Sequence, residues 1–362
     1  MSHSRRTLAA ACVAAAALAA PATAGASTTK FVTMGPPLAA QKTFAKAGAK
    51  PTDLQVNAFF PTTTTIHVGD KVTFVPTGFH NLDIPKKGGS GVALFAPTGT
   101  KAAGANDAAG NPFWFNGQDL LGFSPALLKS SFGKSFAYTG AAAVQSGLPL
   151  ATYLKPVTVT FKKAGTVTYL CDIHPGMKGT VKVLAKSKAI PSPRADAQAV
   201  DAQIAKDLTI LKDLAKKSVP ANTFHLGEAG AGGTEYFDFL PNTMTVPVGT
   251  TVKFEMTAKS FEAHTATAGP GDPENAPDSY LGKLAASLEA PSIDPAALYP
   301  SDVAPVSLTS TTHGNGFWSS GSLDSDAKST PPGTSSVTIG APGTYKFYCL
   351  IHPFMVGTVI AQ

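Results

Sequence analysis

The sequence predicts an all-β protein built from two tandem β-sandwich domains that are joined by an amphipathic helix. Three observations predict this fold: a long internal repeat, strand-like alternation within each copy, and one helical segment between the copies. The chain has 362 residues, which is enough for two hydrophobic cores. Only 14% of the residues are charged and 43% are hydrophobic, which excludes a highly charged disordered chain and a coiled coil.

The repeat is clearest in two segments that each contain one cysteine. Residues 165–181 and 343–359 share Gly, Thr, Cys, Ile, His, Pro, Met, Gly, Thr and Val at an offset of 178 residues. Further upstream, residues 60–74 match residues 240–254 at an offset of 180 residues. A period this long indicates a duplicated domain rather than a solenoid.

Each copy has the pattern of short strands. Apolar side chains alternate with Thr over residues 157–161, and with Lys and Glu over residues 252–256. Because side chains along a strand point alternately to opposite faces, this period of two predicts strands with one buried face. Pro-Gly and Val-Gly turns interrupt the strands, as in an antiparallel sandwich. We place the first domain at residues 27–190 and the second at residues 219–362.

One segment between the copies, residues 191–218, has helical spacing instead. Prolines bracket it, and charged residues cover its other faces. Its apolar residues are Val200, Ile204, Leu208, Leu211 and Ala215. We predict an amphipathic linker helix that packs on a domain and fixes the orientation of the two domains; binding of a partner protein is the alternative.

The N-terminal residues 1–26 have the pattern of a secretory signal peptide. Arg5 and Arg6 precede an apolar run that ends near Ala20, and Ala-x-Ala cleavage sites follow. A retained membrane anchor is the less favoured alternative, because the run is shorter than a membrane span. The sequence therefore predicts an exported protein (extracellular, cell-envelope or periplasmic) that has no membrane span once the signal is removed.

The repeated loops carry the candidate chemistry. Each places a thiolate, an imidazole and a thioether in the spacing Cys-x2-His-x2-Met, and each domain offers one upstream histidine as a further ligand. The candidate ligands are His80, Cys171, His174 and Met177 in the first copy, and His264, Cys349, His352 and Met355 in the second. This donor set suits copper that cycles between Cu(I) and Cu(II). Structural zinc seldom uses Met, and a Cys171–Cys349 disulfide is disfavoured because each cysteine ends a strand of its own domain.

At these residues both copies resemble blue-copper (type 1) cupredoxins of the plastocyanin, pseudoazurin and amicyanin group. The resemblance covers about residues 50–185 and 222–362. It implies two Greek-key β-sandwiches, one type 1 copper ion in each, Met177 and Met355 as axial ligands, and electron transfer as the function. It also implies that an exposed edge of His174 passes electrons to redox partner proteins.

The chain departs from a minimal domain of that family in two respects. Long insertions occupy residues 85–147 and 269–321. Asn81 follows the first ligand histidine, as in many family members, where it ties the two ligand loops together. Thr265 stands at the corresponding place in the second copy, which leaves that tie open.

Two other functions compete with an electron carrier. A two-domain copper enzyme similar to nitrite reductases needs a second kind of copper bound by further histidines, and beyond the ligand candidates only His67, His225 and His313 remain after residue 26. We therefore favour an electron carrier and keep the enzyme as the alternative. Copper storage or delivery ranks behind electron transfer, because a buried thiolate-bound metal is released slowly.

The charge is divided unequally between the domains. Residues 27–190 contain 17 Lys and six acidic residues, a net charge of +11, whereas residues 219–362 have a net charge of −8. Opposite charge predicts either docking of the domains on each other, which would permit interdomain electron exchange, or two different redox partners. Nucleic acid is not an expected partner, because the lysines are dispersed.

Overall fold

The computed structural model describes residues 27–48, 50, 52–290, 293–303, 305–325 and 331–362. The described chain is mostly β, with several sheets and a 22-residue helix between two sandwich regions. The predicted signal peptide, residues 1–26, lies outside the described residues. Among the residues described, no helix combines the length and the apolar character that crossing a membrane requires.

The elements follow one another in two series. Those of the N-terminal half are β1 (Thr29–Met34), α1 (Leu38–Ala47), β2 (Leu54–Val56), β3 (Phe59–Phe60), β4 (Thr63–His67), β5 (Lys71–Pro76), β6 (Asp83–Ile84), β7 (Phe95–Lys101), β8 (Asp119–Phe123), α2 (Pro125–Leu128), β9 (Ser135–Tyr138), β10 (Val144–Gln145), β11 (Val157–Phe161), β12 (Gly165–Leu170) and β13 (Lys178–Leu184). Those that follow are α3 (Pro193–Leu214), β14 (Thr223–Ala229), β15 (Thr234–Leu240), β16 (Thr243–Val246), β17 (Thr251–Glu255), β18 (Ala263–Ala268), α4 (Tyr280–Ser287), α5 (Pro295–Leu298), β19 (Ser307–Leu308), β20 (Trp318–Asp324), β21 (Thr334–Ile339), β22 (Gly343–Tyr348) and β23 (Val356–Ala361).

Two five-stranded sheets form the N-terminal sandwich. Their strand orders are β3-β1-β5-β11-β9 and β10-β6-β12-β13-β4. The alternation predicted in β11 is confirmed, because Val157, Val159 and Phe161 are buried while the threonines between them are half-buried. These apolar side chains pack with those of the facing sheet into one core.

The C-terminal sandwich has a six-stranded and a five-stranded sheet. Their orders are β19-β21-β17-β14-β15-β2 and β16-β23-β22-β18-β20. Strand β2 comes from the N-terminal half but pairs antiparallel with β15, with Leu54 opposite Tyr236 and Val56 opposite Thr234. One sheet is thus shared by both halves of the chain, which fixes the two sandwiches to each other.

Helix α3 packs on this junction. The Ser192 hydroxyl accepts a hydrogen bond from the Ala195 N–H at 3.3 Å and caps the first turn. Leu211 and Leu214 are buried in a cluster that also contains Phe44 of α1 and residues of β2. This packing supports the predicted role of the helix in orienting the sandwiches, and the helix is somewhat shorter than the predicted segment.

The two insertions pack against each other. Apolar residues of both form a separate core, which contains Phe113 and Phe115 of the first and Leu281 and Phe317 of the second. The indole N–H of Trp114 donates to the carbonyl of Pro300 at 2.8 Å. The insertions therefore join the two halves of the chain a second time.

Candidate metal centres

The first centre brings three predicted ligands together in the N-terminal sandwich. Cys171 directly follows β12, His174 lies in the turn before β13, and His80 lies in the loop after β5. The Cys171 sulfur is 3.3 Å from Nδ1 of His174 and 4.0 Å from Nδ1 of His80, and the two Nδ1 atoms are 2.9 Å apart. All three residues are buried, so their donor atoms face one small space from which solvent is excluded.

The second centre repeats this arrangement in the C-terminal sandwich. The Cys349 sulfur is 3.7 Å from Nδ1 of His264 and also 3.7 Å from Nδ1 of His352. The two Nδ1 atoms are 3.1 Å apart. In each centre the donor atoms lie within 4.8 Å of one another, and both cysteines are free. His352 is half-buried whereas the other two residues are buried. One sulfur and two imidazole nitrogens that converge in this way fit a copper ion.

In each ligand loop, two backbone hydrogen bonds close a local turn, and this turn brings the cysteine and the loop histidine together. The Met177 N–H donates to the His174 carbonyl at 2.9 Å, and the Cys171 N–H donates to the Met177 carbonyl at 3.0 Å. The second loop has the same two bonds, at 2.9 Å and 3.2 Å, between the corresponding residues. Both methionine side chains are buried in the same cores as the cysteines. Each predicted set therefore comes from one short loop and one histidine that is distant in sequence.

The tie between the two ligand loops exists in both centres. In the first, the Asp172 N–H donates to Oδ1 of Asn81 at 2.7 Å. In the second, the Leu350 N–H donates to the hydroxyl of Thr265 at 2.8 Å. Thr265 thus provides the acceptor that the sequence had left open.

The second centre favours a thiolate. Burial by itself raises the pKa of the Cys349 thiol, but hydrogen bonds from His264 and His352 outweigh it and hold that pKa at about 5. Burial lowers the pKa of His264, but Cys349 and Glu235 outweigh this and raise it to about 10. A bound cation would take the place of the ring proton and receive a sulfur that is already ionised.

In the first centre a carboxylate governs the charge of the loop histidine. Burial opposes protonation of His174, but Glu262 and Cys171 outweigh it and raise the pKa of His174 to about 10. Burial would raise the pKa of Glu262, yet His174 holds it at about 2. Burial, together with the charge of His174, places the pKa of His80 well below its usual range.

The outer nitrogens of two ligand imidazoles, one in each centre, lie against buried carboxylates. Nε2 of His174 is 2.7 Å from Oε1 of Glu262, and Nε2 of His264 is 3.1 Å from Oε1 of Glu235. The expectation of an exposed His174 edge is therefore wrong: His174 is 4% exposed, because Glu262 of the other sandwich covers it. Nε2 of His352 lies 3.8 Å from Oε2 of the same Glu262.

Reading the sequence missed both carboxylates. One signal was available for Glu262, which stands two residues before the ligand candidate His264, whereas Gly78 stands two residues before His80. At this position only the second copy of the repeat supplies a carboxylate. Nothing comparable in the sequence singles out Glu235.

The remaining histidines of the described chain bond to protein oxygens outside the two centres. The contacts join His67 Nε2 to the Lys188 carbonyl at 2.7 Å, His225 Nδ1 to Glu228 at 2.7 Å, and His313 to Asp107 at 3.1 Å and Asp302 at 3.3 Å.

No protein-family model matches the chain, and no curated protein sequence matches it. Among solved structures, the chain is similar to a plastocyanin of Dryopteris crassirhizoma, with 23% identity over 39% of this chain and 99% of that one, at a TM-score of 0.20. It is also similar to a purple cupredoxin of Nitrosopumilus maritimus (17% identity, 39% and 98% covered, TM-score 0.20). Amicyanin of Paracoccus versutus gives 17% identity over 40% and 86% of the two chains, at a TM-score of 0.21. Each of these three structures aligns with 39–40% of this chain. The two His–Cys–His groups are by themselves consistent with two type 1 copper sites.

Proposed function

We propose that the protein is an exported electron-transfer protein that holds one type 1 copper ion in each of two Greek-key cupredoxin domains. The observation that carries this proposal is the convergence, in both halves, of one cysteine sulfur and two histidine Nδ1 atoms within 4.8 Å. The proposed ligands are His80, Cys171, His174 and Met177 at site 1, and His264, Cys349, His352 and Met355 at site 2.

Bound copper supplies one-electron chemistry, because it is stable as both Cu(I) and Cu(II). The chain supports this by holding the donors firmly. The Asn81 and Thr265 ties fix the ligand loops to the histidine segments, and the cysteines are 3% and 0% exposed. Four protein donors in a closed pocket favour passage of electrons over binding of a substrate.

The proposals about export and about partner proteins are based on the sequence. Residues 1–26 support secretion, and mass spectrometry of the mature N-terminus checks it. The opposite charges of the two halves support electrostatic docking of redox partner proteins or exchange between the sites.

The function is tested by metal analysis, visible absorption and EPR on the chain without residues 1–26. We expect two copper ions per chain, an intense thiolate-to-copper band and two type 1 EPR signals. A third copper without that band would favour a nitrite-reductase-like enzyme. Copper that a Cu(I) chelator removes rapidly would favour storage or delivery, and uptake of fewer than two copper ions or loss of the blue band would contradict the proposal.

A further inference from the structure

A single carboxylate touches both candidate centres. Glu262 belongs to the C-terminal sandwich and precedes the ligand candidate His264 by two residues. Its Oε1 accepts a hydrogen bond from Nε2 of His174 at 2.7 Å, and its Oε2 lies 3.8 Å from Nε2 of His352. The outer nitrogens of one ligand candidate from each sandwich therefore meet at one side chain.

The carboxylate is held in this place by residues of both sandwiches. The amide of Asn57 donates to Oε1 of Glu262 at 3.1 Å, and the Asn57 backbone N–H donates to the carbonyl of Gly233 at 2.8 Å. The Glu262 N–H donates to the hydroxyl of Ser260 at 3.1 Å. Glu262 is 8% exposed, and a buried carboxylate of this kind persists only when its oxygens are paired.

The neighbouring residue closes the junction against solvent. Phe261 packs on the N-terminal core, and a Cβ placed on Gly176 would lie only 2.6 Å from its Cε1 atom. Gly176 belongs to the ligand loop of site 1, and its φ of +106° also favours glycine. The loop and Phe261 thus touch directly, and the edge of His174 meets another part of the same chain instead of an external protein.

The hydrogen bond from His174 to Glu262 also fixes which ring nitrogen of His174 faces the metal site. A carboxylate that accepts the Nε2 proton leaves the Nδ1 lone pair free for coordination, and such partners raise metal affinity. Building on the proposed copper function, we infer that Glu262 is a positioning residue shared by both sites, and that His174, Glu262 and His352 form the route by which one electron passes between them. With copper bound at both sites, the exchange would oxidise Cu(I) at one site to Cu(II) and reduce Cu(II) at the other to Cu(I), with no covalent bond broken and no proton transferred.

The test replaces Glu262 with the near-isosteric glutamine. Two single-site variants first supply the reference spectra and midpoint potentials. C349S reports on site 1 alone, and C171S reports on site 2 alone. In E262Q we expect Zn²⁺, a redox-silent probe added to the apoprotein, to bind site 1 about 10- to 100-fold more weakly and site 2 less affected. The midpoint potential of site 1 should rise, because a negative charge that favours Cu(II) is lost. After partial photoreduction, redistribution of the electron between the sites should slow at least tenfold.

Glu235 supplies the matched control. It is also buried, at 1% exposed against 8% for Glu262, but of the four ligand histidines it contacts His264 alone, at 3.1 Å. E235Q should therefore change the affinity and potential of site 2 and leave those of site 1 as in the wild type. If E262Q does not fold, as thermal unfolding of the apoprotein would show, N57A tests the same link by loosening the carboxylate, and a smaller shift in the same direction at site 1 is expected.

An unchanged site 1 potential together with an unchanged redistribution rate in E262Q, or in N57A where that variant replaces it, overturns the inference. Effects confined to site 2 overturn it equally. These outcomes differ from failure of the proposed function, which would show as a wild-type protein that lacks two blue sites.

Discussion

The hydroxyl of Thr265 accepts a hydrogen bond from the backbone N–H of Leu350 at 2.8 Å. The corresponding bond in the other sandwich runs from the Asp172 N–H to the side-chain oxygen of Asn81 at 2.7 Å. A hydroxyl and an amide thus perform the same task at equivalent positions of the repeat, since each supplies one acceptor to the residue after the ligand cysteine. The tie depends on an acceptor at this place and not on a particular residue type.

Replacing Thr265 with Val keeps the shape but removes that acceptor. The buried N–H of Leu350 would then lack a partner, which costs about 1–3 kcal/mol of stability. We expect urea unfolding of the apoprotein to show this loss and the absorption band of site 2 to weaken. Thr265→Ser, which keeps the hydroxyl, should retain the wild-type stability and the absorption band of site 2. Thr338→Val, which removes a half-buried hydroxyl that hydrogen-bonds to the Thr251 hydroxyl at the surface of the other sheet, should change stability by less than about 0.5 kcal/mol; an equal loss there would contradict the argument.

The ligand loops could be predicted from the sequence because their geometry is local. The spacing from Cys171 to Met177 closes its own turn through two backbone hydrogen bonds, and the same spacing recurs in the second copy. Alternation in β11 and β17 also gave the buried faces correctly, because a period of two depends only on the pleat of a strand.

The relation between the two halves could not be predicted in this way. Glu262 meets His174 and His352 only because the sandwiches dock with both centres toward each other. Pairing of β2 with β15 is likewise a contact between distant segments. Hydrophobic periodicity tells which face of an element is buried but not which element covers it. The expectation of an exposed His174 edge came from the family resemblance, which says nothing of a second sandwich docked on that edge.

The ligand assignment makes a prediction about colour. Cys171→Ser should abolish the thiolate-to-copper absorption of site 1 and leave that of site 2, and Cys349→Ser should do the reverse. The reason is that the thiolate is the source of the band, and a serine hydroxyl does not ionise to replace it. Visible absorption with EPR on each variant measures the result. Persistence of both bands in either variant would show that the assignment is wrong.

The axial methionines are expected to tune the potential. Met177→Leu and Met355→Leu should keep copper bound and raise the midpoint potential of the altered site, because each removes a weak donor that favours Cu(II). Leucine fills nearly the same volume, so the cost in stability should stay below about 1.5 kcal/mol. Met256→Leu, which changes a methionine buried in the C-terminal core, is the control and should leave both potentials unchanged. If all three variants keep the wild-type midpoint potentials, Met177 and Met355 are packing residues and not ligands.

The contact between the two insertions should depend on pH. Nδ1 of His313 is 3.1 Å from Asp107, and its Nε2 is 3.3 Å from Asp302. The hydrogen bond to Asp302 raises the pKa of His313 above its ordinary 6.5; burial opposes the rise, and Asp107 adds to it. Burial would raise the pKa values of both carboxyls, but their hydrogen bonds with His313 outweigh it and hold them below the ordinary 3.8.

The sign of the effect follows from these shifts. A raised histidine pKa adds stability that is fully present below pH 6.5 and is lost as pH rises through the folded-state value, whereas the carboxylates add stability that is lost only as pH falls through their lowered values. We expect His313→Asn to cost more free energy of unfolding at about pH 5.5 than at about pH 9, by urea unfolding. Asparagine is the right replacement because His313 has a φ of 51°, which asparagine tolerates, so that the loss reports the charge and not the backbone. Asp107→Asn removes one of the two carboxylates. In that background the cost of His313→Asn in free energy of unfolding should differ less between the two pH values. A cost for His313→Asn that is equal at both would show that the imidazole packs between the insertions without carrying charge.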